Sequence, residues 1–333
     1  MDKEQSTIIK GIAILMMLWY HLFGIDGLEQ ACTPLIYLNG KALVAYLSNA
    51  TYPVTFFLIL SGYGLTCIFK QKKLNVINQS KRLLKLYIHY WVILLVFVGL
   101  SVFVKPGMYA FDFLHILGNV TAIRCNYNGE AWFLFPYALL SLSAPITINY
   151  VYHLHHKKKI IVTAIIYAIM FIAAKYLSNR LPENVVLNII FIQYCYYVIL
   201  LFYFTLGILL YRFLENKKQR NKNINYLLPI IILMGIKSMF KVTIADGLYA
   251  FTFIILFLKL SLHPYIKNGL HHLGRYSMPM WLTHTFFCVY LFPEFIYGFK
   301  YPLLIFTALV IITYLTSVPI IYISNFIITK IKL

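Results

Sequence analysis

Two ionisable residues stand inside the first apolar run of the sequence, IIKGIAILMMLWYHLFG (8–24). Lys10 and His21 are eleven residues apart, and three turns of an α-helix take about 10.8 residues, so a helix would place both on one face. They would be separated along its axis by about 16 Å, roughly half the hydrocarbon thickness of a bilayer. We expect both to face a polar cavity, where histidine can move a proton near neutral pH. The alternatives are a lysine that snorkels at a helix end and a histidine that bonds a neighbouring helix.

Polar and basic groups also mark the second and third apolar runs. The third run opens with SKRLLKLY, in which Lys81 precedes Arg82 and Lys85, the latter two one helical turn apart. Such clusters anchor phosphate, but they also arise as the ordinary basic flank of a membrane span. In the second run, Ser61 and Gly62 begin the stretch SGYG, which could weaken or break the hydrogen bonding of the helix. Membrane helices tolerate such breaks where freed backbone groups line a cavity, but from the stretch alone we prefer the other interpretation, close packing of helices through small residues.

Three further residues could contribute chemistry at the ends of later runs. Glu130 and Trp132 open the fourth run in GEAWFLFPYALL. The carboxylate could orient an imidazole or bind hydroxyl groups, and the indole could stack on a sugar, although an ordinary aromatic belt gives the same residues. His284, in GRYSMPMWLTHTFF, lies about eight residues into the ninth run. An ionisable residue at such a depth favours a functional site.

The composition requires these residues to be positioned within a membrane. Of the 333 residues, 61% are hydrophobic and only 12% charged, with a mean hydropathy of +0.76, whereas soluble domains are about 45–50% apolar and about 25% charged. The apolar runs are continuous, which excludes the alternating pattern of a membrane β-barrel. We therefore predict one all-α domain over residues 1–333, a polytopic transmembrane helical bundle. Its ten expected spans are 8–24, 44–69, 86–104, 131–152, 160–177, 187–212, 225–241, 246–262, 276–294 and 302–328.

The basic residues predict the orientation of the bundle. If the N-terminus is cytoplasmic, 21 of the 29 lysines and arginines fall on the cytoplasmic side, so the positive-inside rule favours both termini there and an even number of spans. This topology, with attraction to the anionic headgroups of the lipid bilayer, accounts for the net charge of +19 without a nucleic-acid partner. The five cysteines show no metal-ligand spacing. Cys32 and Cys125 fall in loops expected on the outer side, where a disulfide between them is possible.

Taken in order, these motifs resemble the membrane acyltransferase-3 family, whose members usually have ten spans. The motifs are a basic residue, ten residues and a histidine (Lys10 to His21), FFLILSGYGL (56–65), an Arg-x-x-Arg-like pair (Arg82, Lys85), Trp132-Phe133-Leu134, YFTLGILLYR (203–212) and LGRYSMPMWLTH (273–284). Two lysines depart from the commoner arginines of the family. At Lys85 the change removes the bidentate guanidinium fork, which weakens a role in binding phosphate.

The resemblance implies an integral cell-membrane O-acyltransferase. It would move an acyl group, most often acetyl, from cytosolic acyl-CoA to a hydroxyl of a surface polysaccharide or a lipid-linked sugar. Acyl-CoA would be a co-substrate, with no permanently bound cofactor and no metal. The implied roles are catalysis for His21, Lys10 and Glu130, acyl-CoA binding for Lys81, Arg82, Lys85, Ser61 and Gly62, and acceptor binding for Trp132 and His284.

Two points stay open at the level of sequence. His21 could act as a general base on the acceptor hydroxyl or carry the acyl group transiently. Lys10 could neutralise charge along the path of the donor or stabilise the thioester oxyanion. A transporter or export component for a surface glycan would also explain a helical bundle with deep histidines, and a membrane scaffold would explain the hydrophobicity alone.

Overall fold

The computed structural model describes most of the chain, namely residues 1–25, 28–154, 157–177, 180, 185–215, 226–240 and 245–333. Several of the basic residues counted for the topology, at positions 217, 218, 220, 222 and 241, lie outside the described residues.

The described chain is helical apart from one short β-hairpin. Its elements are α1 (Lys3–Phe23), α2 (Leu28–Ala31), β1 (Tyr37–Leu38), β2 (Lys41–Ala42), α3 (Leu43–Ser48), α4 (Pro53–Lys70), α5 (Val76–Val104), α6 (Phe113–Val120), a 3-10 helix (Gly129–Phe133), α7 (Leu134–Tyr152), α8 (Lys157–Leu177), α9 (Val185–Glu215), α10 (Leu227–Met239), α11 (Ala245–Phe257), α12 (Pro264–Thr285), a π-helical segment (Phe286–Tyr290), α13 (Pro293–Tyr297) and α14 (Pro302–Lys330). Strands β1 and β2 pair antiparallel.

The prediction of an all-helical membrane bundle is confirmed at the level of fold class. Six helical stretches of the described residues are long and apolar enough to cross a membrane. They are Lys3–Phe23, Leu43–Lys70, Val76–Val104, Gly129–Tyr152, Leu187–Glu215 and Pro302–Lys330. Helices α10 and α11 have 13 residues each, about 20 Å, which is shorter than the hydrocarbon core of about 30 Å. The count of ten spans and the cytoplasmic termini stay predictions.

Helix α1 begins with a capping box and packs directly on α12. The Asp2 side chain accepts from the Gln5 amide, and the Gln5 side chain accepts from the Asp2 amide, so two of the free N–H groups at the helix start are bonded. A Cβ on Gly11 would lie 2.0 Å from the Leu270 carbonyl oxygen, and one on Gly274 would lie 1.9 Å from that of Thr7. The two helices therefore touch through their main chains, as small residues allow in membrane proteins.

The second span is not interrupted, because α4 is a continuous helix from Pro53 to Lys70. Pro53 occupies the first turn, where a missing N–H breaks no helical hydrogen bond. Gly62 instead allows α4 to approach α9 closely: a Cβ there would lie 2.1 Å from the Phe204 carbonyl oxygen. Packing through small residues, the interpretation preferred from the stretch alone, is what the structure shows.

The ninth predicted span also begins elsewhere. Helix α12 starts at Pro264, twelve residues before the predicted boundary at 276, because its first half, PYIKNGLHHLGR, is helical but too polar for an apolar run. His284 thus lies at the end of a long helix instead of eight residues into a span. In the described chain no disulfide joins Cys32 to Cys125.

Candidate active site

A cavity of about 870 Å³ runs along α1. Its wall includes Lys3 in the first turn of α1 and His21 in the last, which are separated by about 27 Å along the helix axis. The remaining walls come from α4, α5, the 3-10 helix, α7 and α12. Lys10 and His21 both line this cavity, which agrees with the expectation that they share a helical face.

At the far end of the cavity His21 contacts Glu130. Its Nε2 atom lies 3.2 Å from Oε2 of Glu130. An ionised carboxylate only accepts hydrogen bonds, so the neutral His21 tautomer compatible with a hydrogen bond to Glu130 carries its ring hydrogen on Nε2. In that tautomer the lone pair is on Nδ1, for which the described residues supply no hydrogen-bond partner. The contact therefore places Glu130 where its carboxylate can orient the imidazole.

His284 lies beside His21 but is closed off from the cavity. The two ring centroids are 4.7 Å apart, and His284 is fully buried. Its Nδ1 lies 2.5 Å from the Trp281 carbonyl oxygen, so Nδ1 carries the hydrogen and Nε2 presents a lone pair. Among the described residues Nε2 has no hydrogen-bond partner. The ring therefore packs against His21 and, in this state, is not in reach of a substrate in the cavity.

The predicted phosphate anchors are only partly brought together. Arg82 lines the cavity, as does half-buried Lys10, whereas Lys81 and Lys85 do not. In α4, Ser61 lines the cavity and its hydroxyl is 3.0 Å from that of Tyr137. Gly62 faces α9 instead.

The wall near His21 is rich in aromatic side chains. Trp132 lines the cavity and packs on Tyr196 with ring centroids 4.8 Å apart. Tyr20 and Tyr52 also line it, with centroids 6.1 Å apart. Sequence reasoning missed both tyrosines, because nothing distinguishes them among 28 tyrosines; the proximity of Tyr20 to His21 in the chain was the one available signal.

Comparison with known proteins identifies the family. The acyltransferase-domain model of the acyltransferase-3 family matches residues 5–322. The chain belongs to the acyltransferase-3 family. No curated protein and no solved structure gives a match. The matched range contains every site residue predicted from the sequence, from Lys10 to His284, and it confirms the resemblance seen in the motifs. As a member of the acyltransferase-3 family with several long apolar helices, the protein is a membrane acyltransferase.

Proposed function

We propose that the protein transfers an acyl group, most often acetyl, from acyl-CoA to a hydroxyl of a surface polysaccharide or a lipid-linked sugar. The observation that carries this proposal is the His21–Glu130 contact at one end of a cavity that also contains Lys10 and Arg82. A proton acceptor and a group of cations, joined by a channel, suit a donor that has its phosphates at one end and a thioester at the other.

The cations suit the phosphates of CoA. Lys3, Lys10 and Arg82 line the part of the cavity that is remote from His21, and cations bind phosphate by charge-assisted hydrogen bonds. Lys10 and His21 are separated by about 16 Å along α1, too far for the lysine side chain to reach an oxyanion formed beside His21. We therefore favour the first of the two roles considered for Lys10, neutralising charge along the path of the donor.

The transfer needs one proton acceptor, and His21 supplies it. Nδ1 of His21 takes the proton of the acceptor hydroxyl while the oxygen attacks the thioester carbonyl, forming a C–O bond. The C–S bond then breaks, and the CoA thiolate takes the proton back from Nδ1, leaving an ester and free CoA. Glu130 stabilises the imidazolium between these steps. We favour this route over a transient acyl-histidine, because it needs only one event at one site.

The aromatic wall suits a sugar acceptor. Trp132, Tyr20 and Tyr52 lie in the cavity wall around His21, and flat rings pack on the apolar faces of sugars while Tyr and Trp donate hydrogen bonds. His284 supports this region from behind, by packing against His21.

The decisive experiment measures acyl transfer by the purified protein. Protein in detergent or nanodiscs is given radiolabelled acetyl-CoA and candidate glycans, and label on the glycan is counted. We expect His21→Ala to abolish transfer, while His115→Ala, which changes a histidine of α6 outside the cavity, should retain it. Both variants should keep the wild-type melting temperature within a few degrees. Undiminished transfer by a folded His21→Ala variant would refute the role of His21.

Cells separate the enzyme from a glycan exporter. In cells that carry His21→Ala, we expect the surface glycan to be exported in normal amount but to lack acyl esters. A loss of the exported glycan itself would favour the transporter.

A further inference from the structure

Two consecutive residues at the start of the fourth span, Asn128 and Gly129, are bonded to the end of α12 and to the π-helical segment that follows it. Asn128 is fully buried, and its Nδ2 donates to the Leu282 carbonyl oxygen at 2.7 Å. The Gly129 amide donates to the hydroxyl of Tyr290 at 3.0 Å. The Thr285 hydroxyl lies 3.4 Å from Oδ1 of Asn128. Every one of these partners belongs to the last turn of α12 or to the π-helical segment.

The change from α-helix to π-helix makes the Leu282 carbonyl available. In a continued α-helix the Phe286 amide would bond that oxygen. Here the Phe286 amide turns to the carbonyls of Thr283 and His284, and the Leu291 amide bonds the Phe286 carbonyl five residues back at 2.8 Å. Such π-helical turns occur frequently at functional sites. The Leu282 carbonyl can thus accept from a side chain, and that side chain is Asn128.

The same amide group holds the residue that contacts His21. Oδ1 of Asn128 accepts from the Glu130 amide at 3.2 Å and caps the 3-10 helix Gly129–Phe133. A 3-10 helix of five residues has poor hydrogen-bond geometry of its own, so its cap and its neighbours determine where it lies. Asn128 therefore bonds α12 with its nitrogen and the Glu130 backbone with its oxygen.

We propose that Asn128 is a positioning residue for acyl transfer. It holds Glu130 in place relative to the end of α12, and Glu130 in turn sets the tautomer of His21. This inference rests on the proposed function, because it needs the Glu130–His21 pair to take part in the reaction. Asn128 does not line the cavity and touches no substrate there. Its effect must therefore pass through Glu130.

A double-mutant cycle tests that dependence. In the wild-type background we expect Asn128→Ala to lower kcat by about 10- to 100-fold, since a displacement near 1 Å costs on the order of 100-fold. The KM for acetyl-CoA should change by less than threefold, because the cations that line the cavity are untouched. In a Glu130→Ala background, where no side chain at position 130 is left to orient His21, we expect Asn128→Ala to lower kcat by less than threefold, since residues that act as a unit are not additive.

A second, milder variant tests the same role in case Asn128→Ala does not fold. Tyr290→Phe removes only the hydroxyl that accepts from Gly129, and we expect the same non-additivity at a smaller fall, about three- to tenfold. Tyr301→Phe, at the start of α14, is the matched control and should keep the wild-type rate. The full fall in the Glu130→Ala background, for either variant, would overturn the positioning role and leave the proposed function intact. A Glu130→Ala variant with the wild-type rate would overturn the role of Glu130 and the positioning role together, whereas a wild-type protein that transfers no label would overturn the proposed function.

Discussion

Glu130→Gln is the substitution that isolates the charge of the Glu130–His21 pair. Glutamine has the same shape, and its amide oxygen can still accept from Nε2 of His21, so the orientation of the ring is kept. The substitution removes the negative charge 3.2 Å from the ring nitrogen. That charge stabilises His21 most strongly when the ring has taken up the acceptor proton and is an imidazolium.

The size of the effect follows from the distance and the exposure. At 3.2 Å two unit charges in an effective dielectric of about 20 attract by about 5 kcal/mol. The side chains are 18% and 20% exposed, so part of that attraction is screened, and hydrogen bonds to charged groups contribute about 1.5–3 kcal/mol in proteins. Since about 1.4 kcal/mol corresponds to a factor of ten in rate, we expect kcat to fall by about 10- to 150-fold.

The assay is transfer of label from acetyl-CoA to glycan, with kcat and KM measured for both substrates. The KM for acetyl-CoA should stay within threefold of wild type, because Lys10, one of the cations proposed to bind its phosphates, lies about 16 Å from His21 along α1. Glu130→Ala, which also removes the orientation of the ring, should be slower than Glu130→Gln. A fall in kcat below threefold for Glu130→Gln would refute the reasoning, and so would equal rates for the two variants.

Three further predictions concern packing, a buried ion pair and a thiol. Gly274→Ala places a methyl group against the main chain of α1, so we expect the protein to be about 1–3 kcal/mol less stable and acyl transfer to fall about 100-fold. Gly269→Ala, in open space on the same helix, is the control and should change neither quantity. A Gly274→Ala protein with wild-type stability and transfer would contradict the contact. Lys237 and Asp246 form a buried ion pair at 3.0 Å, so Asp246→Asn should lower the free energy of unfolding, measured by SDS titration, by about 3–5 kcal/mol. The double variant Lys237→Met with Asp246→Leu should recover part of that loss, and a double variant less stable than Asp246→Asn would contradict this. Burial raises the pKa of the Cys125 thiol to about 12, so the thiol stays protonated at pH 8 and maleimide should label it slowly until the protein is unfolded; rapid labelling of folded protein would disprove it.

The sequence alone predicts the helical bundle and one side of the site. Apolar runs of membrane length are sufficient to locate most helices, and the eleven-residue spacing is sufficient to place Lys10 and His21 on one wall. The sequence also marks the Glu130 carboxylate, at the start of the fourth run, as a group that could orient an imidazole. The contact at 3.2 Å agrees with that idea, while the roles of the three residues stay predictions.

What the sequence could not predict depends on contacts between distant helices. Gly62 could interrupt α4 or let it pack closely on another helix, and the choice depends on α9, which places Gly207 opposite Gly62. Whether Lys81, Arg82 or Lys85 reaches the cavity is decided by the rotation of α5. The role of Asn128 depends on a carbonyl 154 residues further along the chain, and no local pattern indicates such a bond.

The main-chain contact between α1 and α12 determines which parts of the molecule can move. At Gly11 and Gly274 the main chains of the two helices meet with no side chain between them that could change rotamer, so we expect the helices to move as one body. His21 belongs to α1 and His284 to α12, so we expect the two rings to keep their separation when the other helices move. We therefore expect the cavity to admit its substrates by displacement of the opposite walls, α4, α5 and α7, while the wall that carries His21 stays fixed.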